Sequence, residues 1–201
     1  MPRPVAPLLS REQIASAALE LIDETGTFTL PGLARRLGVS ASSIYYHFPG
    51  GREAIIEAIR GFLTTGPAPT TGTDWQTYAQ EWAREYRRAF ARHPKVVPML
   101  TAQTVSDPRT LATYEALARV LRDAGFHEEE LLHAVTILDC FILGSALDAA
   151  APLDVWAASD DPESALGAAI RTVGPEPEKR SERSFEIGLR LLLTGLAELR
   201  T

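Results

Sequence analysis

Apolar residues recur at spacings of three and four along most of the chain, and no segment shows a sustained alternation of apolar and polar residues. The first such stripe consists of Ile14, Ala17, Ala18, Leu21 and Ile22. This spacing places apolar side chains on one face of a helix, whereas a half-buried strand alternates. The pattern therefore predicts an all-α protein with about ten helices.

The N-terminal part contains a series of short helices with clear start and stop signals. Ser10 begins a capping box for the first helix, and Gly26 ends that helix. Thr29 caps a second helix, Gly38 begins a turn, and Ser40 caps a third helix that extends to about residue 47. A capped helix, a short glycine-containing turn and a second short helix form the layout of a DNA-binding helix-turn-helix.

In the third helix, only Ile44 and Phe48 are needed by a core. The other side chains can present hydroxyl groups or a ring N–H to phosphates and base edges; they are Ser42, Ser43, Tyr45, Tyr46 and His47. Two adjacent exposed tyrosines suit a surface that is covered by a partner. The alternative is that one tyrosine is partly buried with its hydroxyl at the rim.

The segment TTGPAPTTGT, residues 64–73, is the best candidate boundary because proline and glycine interrupt helices. It predicts an N-terminal helix-turn-helix domain over 1–63, a linker over 64–73 and a larger helical domain over 74–201. The chain has 20 Lys and Arg against 26 Asp and Glu, a net charge of -6. Residues 1–62 are neutral, so the acidic excess lies in the larger domain.

Cys140 is the only cysteine, so an internal disulfide is impossible and a reducing cytoplasm is expected. We expect no signal peptide because the N-terminal apolar stretch is short. We also expect no membrane span, because His133 and Asp139 interrupt the most apolar stretch, 131–147.

Residues 131–147 and 185–199 are apolar on more than one face, which favours a homodimer in which each helix is covered on two sides. The alternative is a core pair inside one chain. Candidate dimer residues are Leu132, Leu143, Phe185, Leu189, Leu192 and Leu196.

A pocket between helices of the larger domain would take a small apolar or aromatic ligand. Its candidate residues are Trp82, Tyr86, Phe90, Met99, Gln103, Leu117, Leu121, Asp139 and Phe141. No two histidines have the i, i+3 or i, i+4 spacing that would place two metal ligands on one helical face, so no metal and no cofactor are predicted. The sequence also has no phosphate-loop lysine and no nucleophile elbow, which argues against an enzyme.

Residues 10–62 resemble the N-terminal domain of TetR-family transcriptional regulators, most clearly in LARRLGVSASSIYYHF, residues 33–48. The resemblance implies that Thr29 contacts a phosphate, that Ser42 and Ser43 enter the major groove, and that the aromatic residues contact backbone and base edges. With Arg35, Ser40 and Arg52 the implied DNA-binding set is Thr29, Arg35, Ser40, Ser42, Ser43, Tyr45, Tyr46, His47 and Arg52. Where the family often has a phosphate-binding lysine, this chain has Gly50-Gly51-Arg52.

The stretches RRAFARHPKVVPML and LRDAGF resemble the tetracycline-repressor type of C-terminal domain. This resemblance implies a drug or metabolite pocket, a dimer, and a repressor that leaves a palindromic operator when an inducer binds. In tetracycline repressors a histidine near the start of the sixth helix helps bind drug-chelated magnesium, but this chain has VVPMLT there, so tetracycline is not the expected inducer. Two alternatives stay open: a ligand-binding protein or co-regulator without operator affinity, and an enzyme that uses the C-terminal pocket.

Overall fold

The protein was analysed as a computed structural model, which describes residues 9–64, 66, 74–152, 155–156, 161, 163–173 and 177–200. The described chain is helical, as predicted, with ten α-helices. They are α1 (Arg11–Thr25), α2 (Leu30–Leu37), α3 (Ala41–His47), α4 (Gly51–Leu63), α5 (Trp75–Ala91), α6 (Val97–Thr101), α7 (Pro108–Asp123), α8 (Glu128–Ala149), α9 (Ala165–Val173) and α10 (Pro177–Ala197). A 3-10 helix, Pro94–Val96, precedes α6.

Two helices differ from the sequence prediction. The sixth was expected over 95–104 and covers only Val97–Thr101, after the 3-10 turn. The ninth was expected from 162 and begins at Ala165, where the Ser164 hydroxyl accepts a hydrogen bond from the Gly167 N–H. Of the predicted linker, residues 65 and 67–73 lie outside the described residues.

The described residues group into two compact units, one from 1–65 and 93–115 and the other from 66–92 and 116–201. In the first unit, α1 packs against α2 and α4, and α2 packs against α3. Their shared core is formed by buried apolar side chains, which include Ile14, Ala18, Ile22, Leu33, Ile44, Phe48, Ile55 and Ile56. The expected capping box at Ser10 is present, and Gly26 and Gly38 end α1 and α2 with left-handed backbone angles.

Residues 93–115 belong to the first unit although they follow α5 in sequence. His93 Nδ1 lies 2.7 Å from Asp23 Oδ2, and the Lys95 ammonium donates to the Asp23 carbonyl at the end of α1. α6 packs against α4. Helices α1–α4, which we call the head, therefore form one packed body with the segment 93–115.

Glu57 and Arg60 connect α4 to α6 and to the turn that follows α6. Arg60 is buried, forms an ion pair with Glu57 at 2.9 Å and donates to the Leu100 carbonyl. The other Glu57 oxygen accepts from the backbone N–H groups of Ser106 and Asp107 at 2.9 and 3.1 Å. Burial raises the pKa of Glu57, but the N–H of Ser106 and the Arg60 guanidinium outweigh it, so its pKa is below the ordinary value.

The second unit is built on α5, α8 and α10, which pack against one another. Trp82, Tyr86 and Phe90 form a buried row along α5, with ring centroids 5.0 and 4.6 Å apart. Arg84 forms two hydrogen bonds of 2.8 Å to Glu186, and Arg87 pairs with Glu182, so ion pairs at the edge join α5 to α10.

The pKa of Glu57 predicts an acid-sensitive contribution to stability. Because the pKa is lower in the folded chain than the ordinary 4.5, this contribution is complete above pH 4.5 and is lost as the pH falls through the folded pKa. We expect Glu57→Gln to lower the free energy of unfolding by about 1–2 kcal/mol at pH 7, and by less below pH 4.5. Urea unfolding at several pH values measures this. Glu53→Gln, at an exposed position of the same helix, is the control and should have little effect; equal effects of both substitutions would contradict the assignment.

Candidate DNA-binding surface

α3 is held against the first unit by the two side chains expected from the sequence. Ile44 and Phe48 are fully buried. The Ser40 hydroxyl caps the helix by accepting from the Ser43 N–H. The Tyr45 ring lies against Gly51, 3.5 Å from where a Cβ would be, and Gly51 has a φ of +63°, which favours glycine.

The remaining side chains of α3 point away from the core. Tyr46 is 84% exposed and Tyr45 is 50% exposed. Ser42 is exposed, while Ser43 and His47 are half-buried. The Tyr46 and His47 rings meet edge to face with centroids 5.3 Å apart, which fixes their mutual orientation. α3 therefore presents a continuous hydroxyl and aromatic surface.

Thr29 and Ser40 both act as helix caps. The Thr29 hydroxyl oxygen accepts from the Gly32 N–H at 3.1 Å, and that of Ser40 accepts from the Ser43 N–H at 3.2 Å. Both residues are exposed. A hydroxyl that accepts through one lone pair can still donate its hydrogen, so neither cap prevents a contact with a phosphate.

The arginines of the first unit differ in what their charges contact. Arg35 is exposed on α2 and has no partner among the described residues. Arg36 forms hydrogen-bonded ion pairs with Glu20 and Glu24 of α1. The hydrogen bond to Glu24 raises the pKa of Arg36 most, followed by the hydrogen bond to Glu20. Arg52 is exposed, but its guanidinium lies 3.4 Å from the Phe28 carbonyl and beside the Thr27 hydroxyl.

Arg11 supports α3, although no local sequence pattern indicates this. Its guanidinium donates to the carbonyl of His47, the last residue of α3, and stacks 4.0 Å from the centre of the Phe48 ring. A cation at a helix C-terminus pairs with carbonyls that have no partner inside the helix. Arg11 lies 36 residues before His47, and contacts over such a separation leave no local sequence signal.

The candidate ligand residues divide between the two units. Trp82, Tyr86, Phe90, Leu117 and Leu121 are buried in the second unit, where the ring of half-buried Phe141 stacks on that of Phe185, and Asp139 is half-buried on α8. Met99 and Gln103 belong to the first unit, where they line an open cleft of about 940 Å³ beside Arg52. No group of three metal-binding side chains occurs among the described residues.

The candidate dimer residues also fall into two classes. Leu143, Phe185, Leu189 and Leu196 are buried inside the chain itself, and Leu192 is half-buried. Leu132 is 72% exposed. Periodicity identified two apolar faces on α8 and α10, but it did not show which face is turned inward.

Two family models match the chain. Residues 14–59 match the model of bacterial regulatory proteins of the tetR family, and residues 68–200 match the tetracyclin repressor-like C-terminal domain. The class C tetracycline repressor protein of Escherichia coli is 28% identical over 206 residues, 96% of this chain and 92% of that protein. The class D repressor of the same organism is 30% identical over 146 residues, 70% of this chain and 66% of that protein.

Solved structures show the same fold. Apo ActR from Streptomyces coelicolor superposes with a TM-score of 0.77 at 25% identity, over 96% of each chain. The two-part helical architecture predicted from the sequence is thus confirmed.

The Arg11 contacts predict that its side chain stabilises α3. Arg11→Met keeps an apolar stem over Phe48 but removes the hydrogen bond to the His47 carbonyl, so we expect a loss of about 1–2 kcal/mol in the free energy of unfolding. Urea unfolding measures this, and Arg35→Met, at an exposed arginine of α2, is the control. A destabilisation no larger than that of the control would contradict the anchoring role.

Proposed function

Because the chain belongs to the tetR family of bacterial regulatory proteins, we propose that it represses transcription by binding a palindromic operator, which it leaves when a small molecule binds. The observation that carries this proposal is the exposed surface of α3. The helix is capped by Ser40 and held by Arg11 of α1, and of its side chains and that of Phe48 only Ile44 and Phe48 are buried in the core. The N-terminal residues of such a helix enter the major groove.

Each polar group of the surface has a role in this proposal. The caps Thr29 and Ser40 donate their hydroxyl hydrogens to phosphates, as does Arg35 with its guanidinium. Ser42 and Ser43 reach base edges, and Tyr45, Tyr46 and His47 contact bases and the adjacent backbone. Arg52 makes the weakest phosphate contact of this set, because its guanidinium already contacts the Phe28 carbonyl and the Thr27 hydroxyl.

Two copies of α3 would occupy successive major grooves about 34–36 Å apart. The head adds little general attraction for DNA, because residues 1–62 carry no net charge. Dimerisation then makes two weakly attracted heads effective, since binding of the second head follows at high effective concentration.

Tyr46 and His47 provide the test of the surface. We expect Tyr46→Ala and His47→Ala each to weaken operator binding roughly ten-fold or more while the protein stays folded, because contacts with DNA are removed but no core residue is changed. Gel shifts with the promoter region upstream of the chain's own gene measure this, with circular dichroism as the folding check. Val173→Ala, at an exposed apolar residue on α9, is the matched control. Unchanged binding by both head variants would rule out α3 as the reading helix.

We place the dimer interface on the exposed face of α8 and α10. Exposed apolar residues there are Ile137 and Leu147 of α8 and Ile187 and Leu191 of α10. α8 is long and apolar enough to cross a membrane by length and composition alone, yet only 28% of its most apolar window is buried in the chain. A partner subunit would cover the second apolar face of such a helix just as a membrane would. We favour the partner subunit because it agrees with the family match.

Glycines support this choice of face. A Cβ at Gly188 would meet the Phe141 ring at 2.6 Å, so packing inside the chain requires that glycine. A Cβ at Gly144 or Gly195 would meet nothing within 4 Å. Glycine inside a helix lowers stability by about 1 kcal/mol relative to alanine, and packing inside the chain does not require it at Gly144 or Gly195. We propose that these two glycines allow a second subunit to approach closely.

Leu191→Glu tests the interface. Leu191 is 63% exposed, and we expect a buried carboxylate at this position to convert the dimer to a monomer with weakened operator binding. Light scattering with size-exclusion chromatography measures the mass, and Leu111→Glu on α7, 47% exposed, is the control. Cys140, exposed on α8, should react with a thiol reagent faster in the variant than in the dimer. A stable dimer with unchanged thiol reactivity would place the interface elsewhere.

The inducer is proposed to be a small apolar or aromatic molecule bound by the C-terminal domain, near the aromatic row Trp82, Tyr86 and Phe90. The segment 93–115 lies within the stretch matched by the C-terminal family model, but it packs with helices α1–α4 of the head. We propose that the inducer acts through this segment and its contacts with Glu57 and Arg60. A ligand can shift the protein only by its difference in affinity for the two states.

The matched relatives are transcriptional regulators, so we expect no catalytic turnover and a cytoplasmic location with the operator DNA. The alternative of a ligand-binding protein without operator affinity predicts that no duplex is retained at any salt concentration.

A further inference from the structure

The reading helix lacks every side chain that makes a two-bond contact with a base. Ala41–His47 reads ASSIYYH, with no arginine, lysine, asparagine, glutamine or carboxylate. Arginine or lysine recognises guanine in the major groove through O6 and N7, and asparagine or glutamine recognises adenine through N6 and N7. The most discriminating contacts to guanine and adenine are therefore not available to α3.

The serines at the start of α3 are already bonded to one another. The Ser40 hydroxyl oxygen lies 2.8 Å from those of both Ser42 and Ser43, and it accepts from the Ser43 N–H. This network leaves each hydroxyl fewer free bonding directions. A hydroxyl also both donates and accepts, so it distinguishes poorly between bases.

At the N-terminal end of α3, the Ala41 methyl is an exposed apolar group. Ala41 is the first residue of α3 and is exposed, whereas the inward contacts are made by Ile44 and Phe48. Tyr45, four residues later and on the same side of the helix, adds a half-exposed ring held against Gly51. This side of α3 therefore presents a methyl group followed by an aromatic ring.

Thymine is the base that presents an apolar group in the major groove, its C5-methyl. We propose, resting on the proposed function, that each operator half-site carries a thymine whose C5-methyl packs against Ala41, and that this contact sets the base preference at that position. Ala41 is then a specificity-determining residue, whereas the serine hydroxyls that reach base edges discriminate less between bases.

The experiment starts from the full-length protein and a pool of random duplexes, from which the preferred half-site is selected. Each thymine of the selected duplex is then replaced singly by deoxyuridine, which keeps base pairing and removes only the methyl group. In each half-site we expect one thymine whose replacement weakens binding about four-fold, because one buried methyl group is lost from the interface. Fluorescence anisotropy measures the dissociation constants.

Two variants assign the effect to Ala41. With Ala41→Gly, the same uridine replacement should change binding less than two-fold, because the protein methyl is absent. Ala41→Gln adds an amide that suits adenine, so repeated selection should shift the preferred base at this position from thymine to adenine. The shift is a gain of a new preference, which a merely destabilised variant would not produce.

Specific binding that is insensitive to every uridine replacement, or a four-fold effect that persists in Ala41→Gly, would overturn this inference and leave the proposed function standing. If no duplex is selected from the pool, the proposed operator binding fails, and the inference fails with it.

Discussion

A helix of seven residues has too few turns to be stable alone, so the reading surface depends on the contacts that anchor α3. Ile44 and Phe48 fix one face of the helix in the core, and the Ser40 hydroxyl closes its N-terminus. Arg11 closes the other end through the His47 carbonyl. With both ends and one face held, the exposed side chains have defined positions before any DNA is bound, which lowers the ordering cost of binding.

The sequence predicted the features of this arrangement that depend on near neighbours. Caps such as Ser10 and Ser40 act on N–H groups three residues away, and the inward spacing of Ile44 and Phe48 is one helical turn. The Arg11 contact with His47 and the Arg36 contacts with α1 join residues that are far apart in sequence. Only the packed helices bring such pairs together, so no local pattern could indicate them.

The same distinction explains why the sequence could not assign the inward faces of α8 and α10. Hydrophobic periodicity finds apolar faces, but the choice of the inward face depends on neighbouring helices. Leu189 is buried while Leu191, two residues later and equally apolar, is exposed. Gly188 and Gly195 read alike in the sequence, yet only Gly188 has a neighbour, the Phe141 ring, that excludes a side chain. A second subunit that covers these helices is the simplest reason for the exposed apolar residues of α8 and α10.

The contacts of the arginines change the meaning of the charge count. Residues 1–62 have as many basic as acidic side chains, but Arg11 and Arg36 join helices of the head to one another, and Arg60 joins α4 to α6. A guanidinium already paired with a carboxylate or carbonyl gains less from a phosphate, because the first contact must be given up. Arg35 is the exposed arginine of the described head that has no such partner. Because the formal charge of residues 1–62 is zero and most of these guanidinium groups already have a partner, the proposed recognition of DNA relies on the fit of α3 and on its repetition in a dimer.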